Sequence, residues 1–176
     1  MFKSGLIGFG AAVALTSMAA ADYTLNLGNF TLTGNQSVTT TELLGGVMTG
    51  FTISFDYVGN TGGSWASDMV FAITPPGVGG TAWGGYNTQF GLPNNGGTWA
   101  FDGPGSEASG SYTDTKTFVA GGGTAWNFLI GNGWTTSPAV SYNNVVVTLH
   151  GAIVPAPGAF ALLGLAGLAG SRRRRG

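Results

Sequence analysis

Apolar and polar residues alternate through most of the middle of this chain, with the period of two that a half-buried strand requires. Tyr23, Leu25 and Leu27 open the series. The phase shifts at Gly28-Asn29 and resumes through Phe30 and Leu32, which predicts a bulge or tight turn. Phe51, Ile53, Phe55 and Tyr57 alternate cleanly, as do Met69, Phe71 and Ile73, and then Thr124, Trp126, Phe128 and Ile130. A last run takes Val145, Val147 and Leu149, with Gly151 and Ile153 beyond. Turn signals separate the runs: Gly59-Asn60, Pro75-Pro76-Gly77, Pro93-Asn94-Asn95-Gly96-Gly97, Asp102-Gly103-Pro104-Gly105 and Gly121-Gly122-Gly123. No stretch joins helical spacing to helix caps, and the glycines recur at no fixed period. Many short strands with glycine-rich turns predict an all-β body over residues 22–153, a β-sandwich of jelly-roll type.

The two ends break this pattern. Met1-Phe2-Lys3 gives a small positive start, and an apolar run from Gly5 to Leu15 follows. Ala19 and Ala21 then supply the small residues that a signal peptidase reads. Residues 1–21 are therefore expected to form a signal helix, cleaved after Ala21. The rival, a buried N-terminal helix, fits poorly with the polar alternation that begins abruptly after Asp22. The partners implied are signal peptidase and the export machinery.

At the other end, Val154-Pro155-Ala156-Pro157 precedes an apolar run of Gly, Ala, Leu and one Phe from Gly158 to Gly170, and Arg172 to Arg175 follow. The prolines are expected to keep their segment extended and out of any sheet, open to a protease. As a helix, the apolar run rises only about 20 Å, short of a bilayer core of about 30 Å. Ala152 to Val154 and snorkelling arginines bring it close to spanning. Arg172, Arg173, Arg174 and Arg175 resist translocation and are expected to stay cytoplasmic.

This three-part layout over Val154–Gly176 resembles the PEP-CTERM sorting signal of bacterial exosortase substrates. Ala156 stands where that family has glutamate. The resemblance implies a transient hold on the inner membrane through the tail, cleavage near Pro157 by an exosortase-like membrane protease, and release or attachment at the surface of a Gram-negative cell. A glycolipid-anchor signal would lack the basic end. A plain C-terminal anchor fits the charge order equally well.

Charge sharpens the contrast between ends and body. Charged residues make up 7% of the chain, against about 25% in an ordinary domain. The body keeps seven acids and one basic residue, Lys116, which leaves it at −6. Such a body does not attract nucleic acid, whose phosphates call for clustered Lys and Arg. With no cysteine, the fold has no disulfide frame and rests on burial.

Part of the body, from Phe51 to Ile153, is similar to the P-domain-like jelly rolls found after some secreted subtilases. The likeness lies in Trp65-Ala66-Ser67-Asp68-Met69-Val70-Phe71-Ala72-Ile73-Thr74-Pro75-Pro76-Gly77, in Thr124-Ala125-Trp126-Asn127-Phe128-Leu129-Ile130 with Asn132, and in the strand Val145 to Leu149. It bears on fold alone.

Candidate chemistry is sparse. His150 is the one histidine, expected half-exposed at the end of the last strand. No serine lies in a Gly-x-Ser-x-Gly elbow, and no metal-hydrolase motif occurs, so no catalytic residue is assigned. Trp83 and Trp134 lie in glycine-rich contexts expected to be loops and are the candidates for stacking on sugar rings. Trp65, Trp99 and Trp126 are expected in the core. Asp68 and Asp102, with Glu107 and Asp114, are the acids near turns that could hold calcium, the one cofactor considered. These readings converge on an exported, non-enzymatic cell-surface or matrix protein. The alternative is a carbohydrate- or calcium-binding module of an exopolysaccharide matrix.

Overall fold

In the computed structural model of the protein, the described residues are 22–59, 63–75, 79–85, 90–93, 95–121, 125–134 and 139–155, with backbone alone at 152–155. They form seven strands: β1 (Tyr23–Leu32), β2 (Ser37–Val58), β3 (Met69–Thr74), β4 (Thr81–Trp83), β5 (Gly110–Gly121), β6 (Ala125–Asn132) and β7 (Val140–Pro155). A 3-10 turn covers Ala66–Asp68. The body is all-β and antiparallel, as its alternation predicts. The segments expected as terminal helices, 1–21 and 158–170, lie outside the described residues.

The long strand β2 belongs to two sheets. Its first part, Ser37–Leu43, pairs with β6, which continues to β3 and β4. Its later part pairs with β7 on one side and β5 on the other, and β7 pairs with β1. One layer therefore reads β1-β7-β2-β5 and the other β2-β6-β3-β4. The chain changes layers between Leu43, opposite Ala125, and Leu44, opposite Pro155. Corners of two-sheet folds are made by strands that switch sheets in this way. Gly46, just past the corner, has φ +101°, a left-handed backbone that only glycine adopts cheaply.

The alternating apolar positions meet between the layers. Phe51, Ile53, Phe55 and Tyr57 of β2, with Tyr142, Val145, Val147 and Leu149 of β7, are buried from one side. Met69, Phe71 and Ile73 of β3, with Trp126, Phe128 and Ile130 of β6, are buried from the other. Phe51 crosses the interface, with ring centroids 4.9 Å from Phe71 and 4.7 Å from Trp83. The predicted irregularity after Leu27 is present, because the β1–β7 register shifts on both sides of Gly28.

Two expectations are corrected here. The body does not stop at Ile153: β7 runs on through Val154 and Pro155, which pair with Gly45 and Leu44. The first proline of the motif thus closes a strand instead of holding it out of the sheet. It can do so because this stretch of β7 pairs with β2 alone, and an edge position needs no proline N–H. Trp65 is 41% exposed. It stands before the 3-10 turn, outside the strand pattern that placed it in the core.

Candidate functional site

The residues singled out from sequence do not gather in one place. Ala19, Ala21, Ala156, Pro157 and Arg172–Arg175 lie outside the described residues. Trp83 is not a loop aromatic: it ends β4 at 2% exposure, packed on Phe51 and Phe118. Its apparent loop is a three-residue strand too short to show a period, so Trp83 cannot offer its ring to a ligand. Trp134 is partly buried, and its backbone N–H and carbonyl are both bonded to the Asn132 side chain. Trp99 and Trp126 are core residues as expected.

Asp68 and Asp102 differ sharply. Asp102 is exposed. Asp68 is buried and accepts the Trp65 N–H at 2.6 Å. Burial pushes its carboxyl above the ordinary 3.8, outweighing the pull of the Trp65 N–H and Ser64, and the negative charge of Asp102 adds to the rise. Among the described residues, no three His, Cys, Asp or Glu side chains come together as a metal site. A carboxyl raised in the folded state binds more protons there than in the unfolded chain. Stability is therefore lost as pH climbs from the ordinary carboxylate value through the raised folded one, and stays lower above it. Asp68→Asn should melt higher than the parent at pH 7, and the gap should close as pH falls below about 4.

Asp114 faces inward from β5. Its carboxylate accepts the Ala100 N–H at 2.7 Å and meets Lys116 Nζ at 2.8 Å. Lys116 also donates to the Thr98 carbonyl at 2.7 Å and lies 5.7 Å from the Trp99 ring centroid. The Trp99 indole N–H in turn donates to the Met69 carbonyl at 2.6 Å. This chain of contacts fastens the segment after β4 to both layers. Inward charges also blunt β5 as an open sheet edge. Asp114→Ala should cost about 2 kcal/mol, read as a lower denaturant midpoint.

The outer face of the β1-β7-β2-β5 layer is built differently. Thr24, Thr148, Thr52 and Thr115 stand in register across all four strands. Thr24 and Thr148 hydroxyls lie 3.3 Å apart, and those of Thr52 and Thr115 lie 2.8 Å apart. The next row is Asn26, Val146, Ser54 and Thr113. On the other side of the threonine row, His150 Nε2 is 2.8 Å from Thr52 Oγ1, and its Nδ1 is 2.9 Å from Asp22. That hydrogen bond holds the Asp22 carboxyl below its ordinary value.

Thr52, His150 and Asp22 thus repeat the nucleophile, base and orienting-group distances of a hydrolytic triad. The remaining requirement is a set of donors aimed at an oxyanion. On the β2 side Gly50 pairs with His150, whereas the β1–β7 pairing ends at Leu149 and the Gly151 N–H is given to the Asp22 carboxylate. The Thr52 hydroxyl is also engaged by Thr115. The arrangement orients an imidazole on an open surface.

Further along this face, Asp56, Ser54, Ser111, Thr113 and Asn144 line a shallow cavity of about 290 Å³. Ser111 donates to Asp56 Oδ1 at 2.5 Å, and the Asn144 amide donates to Oδ2 at 2.7 Å. These two bonds hold the Asp56 carboxyl below its ordinary value. Asn144 is the non-glycine residue with positive φ among those described, at 52°. It sits where the β2–β7 register shifts between Ser54 and Asp56. A bulge of this kind re-aims a side chain. A second cavity, of about 330 Å³, opens between β1 and the first part of β2, over Phe30, Phe128 and Ile130 with Glu42 at its wall. Sequence reasoning missed both cavities. The available signal for the first was the alternation of Ser111, Thr113, Thr115 and Thr117 in β5, with Thr52 and Ser54 in β2.

Fold and site together define an antiparallel all-β protein, consistent with a β-sandwich, that presents a hydroxyl- and amide-rich sheet face. No known family, curated protein or solved structure matches the chain.

Proposed function

We propose that this is an exported, non-enzymatic cell-surface or extracellular-matrix protein, sorted through its C-terminal tail by an exosortase-type membrane protease. The observation that carries the reading is the division of the chain into an acidic body, with seven acids and one lysine, between apolar ends that hold the other basic residues. Signal peptidase acts at Ala19–Ala21, the apolar tail holds the inner membrane, and Arg172–Arg175 stay on the cytoplasmic side. The signal helix, the hydrophobic tail helix and the jelly-roll order of the body belong to the same proposal. In support, β7 delivers the chain into Val154 and Pro155 with no spacer. The last strand thus takes up the first two residues of the proposed sorting motif.

A tag placed after Gly176 tests the sorting step. In fractionated cells the tag should remain in the inner membrane while the body is recovered without it. A tag that stays with a full-length body identifies a simple anchor and overturns the sorting. The non-enzymatic assignment has its own check at the Thr52–His150–Asp22 array. The full chain should hydrolyse p-nitrophenyl acetate no faster than its His150→Gln variant. A rate that depends on His150 and Thr52 would make the array a catalytic one.

A second reading, a carbohydrate-binding body, is favoured by the neutral hydroxyl face. Calcium belongs only to this second reading, through Asp68 and Asp102. It predicts a rise in melting temperature on adding calcium.

A further inference from the structure

We propose that the outer face of the β1-β7-β2-β5 layer binds a neutral polysaccharide, with the Asp56–Asn144–Ser111 cavity as its anchoring subsite. This deepens the second reading above and rests on it.

The subsite is built by the fold. The bulge in β7 puts Asn144 in a left-handed conformation at φ 52°, which costs a non-glycine residue energy and persists only where the surroundings hold it. The Asn29 side chain does so, accepting the Asn144 N–H at 2.8 Å. The result is an amide and a serine hydroxyl that each bond a different oxygen of Asp56. An ionised carboxylate has about four lone-pair sites, so each oxygen keeps capacity toward the cavity. Two acceptor oxygens side by side suit adjacent hydroxyls on one sugar ring.

Charge selects the class of ligand. The single lysine of the body, Lys116, lies on the inner side of β5, turned to Thr98 and Trp99. The face's carboxylates, Asp22 and Asp56, already hold His150, Ser111 and Asn144. With acids and no described cation on its outer positions, the face disfavours a polyanion and complements an uncharged, hydroxylated partner. The threonine row extends the contact. Strands lie about 4.8 Å apart, close to the length of one sugar ring, and each threonine adds a methyl beside its hydroxyl. Sheet twist of about 20–25° per strand curves the row. A flexible glycan chain follows that curve, whereas a flat crystal lattice such as ice does not.

The test is affinity electrophoresis of the purified full chain through gels containing dextran, laminarin or galactomannan, with alginate as the polyanionic control. Retardation is expected in at least one neutral gel and not in alginate. Asn144→Gly removes the amide while keeping a residue suited to positive φ. It should weaken the retardation about ten-fold, the loss of one to two hydrogen bonds, with an unchanged or higher melting temperature. Thr52→Val and Thr115→Val should weaken it further. No retardation in any neutral gel, retardation in alginate alone, or equal retardation of the Asn144→Gly variant would each overturn the proposal. Delivery is judged separately by the tag: failed sorting leaves gel retardation intact, and failed binding leaves tail removal intact.

Discussion

Phe51→Ala should lower the stability of the body by about 3–5 kcal/mol, the cost of emptying a large buried aromatic site. Phe51 is fully buried and touches both layers at once, meeting Phe71, Trp83 and Phe118 with centroids 4.9, 4.7 and 6.2 Å away. Truncation removes the ring that meets all three of these aromatics, and the surrounding strands cannot close the gap without breaking register. Chemical denaturation should show a lower midpoint with an unchanged slope. A loss below about 1 kcal/mol would mean that the two layers are not joined here.

Gly84→Ala should be at least as damaging. Gly84 has φ +98°, and a β-carbon there would lie 1.9 Å from the Met69 carbonyl oxygen and 2.6 Å from Trp99 Nε1. The same carbonyl accepts the Trp99 indole N–H. An alanine would therefore displace both partners of that bond and release the segment that Asp114 and Lys116 fasten. The expected loss is about 4 kcal/mol or more, accompanied by a red shift of tryptophan emission as Trp99 meets water. Wild-type stability and an unshifted spectrum would contradict the packing described around Trp99.

The strands with apolar inward faces were legible in the sequence because alternation and burial coincide there. Phe51, Ile53, Phe55 and Tyr57 are the clearest case, and the bulge near Gly28 was visible as a change of phase. The edge elements were not legible. β5 turns Asp114 and Lys116 inward, so its alternation reads as polar on both faces. The first part of β2 places Thr40 and Glu42 toward an open groove for a similar reason. β4 is too short for any period, which let Trp83 pass for a loop residue. The candidate site was hidden because it is made by register. Thr24, Thr52, Thr115 and Thr148 are far apart in the chain and become one row only after four strands pair. The Asp56–Asn144 contact needs in addition a bulge that no local motif announces.

Mass spectrometry of the protein recovered from the surface of its cells tests the central claim most directly, because it reads both ends at once. The account predicts a mature chain beginning at Asp22 and ending near Pro157, without the apolar tail and the four arginines. A chain recovered intact from Met1 to Gly176 would contradict it.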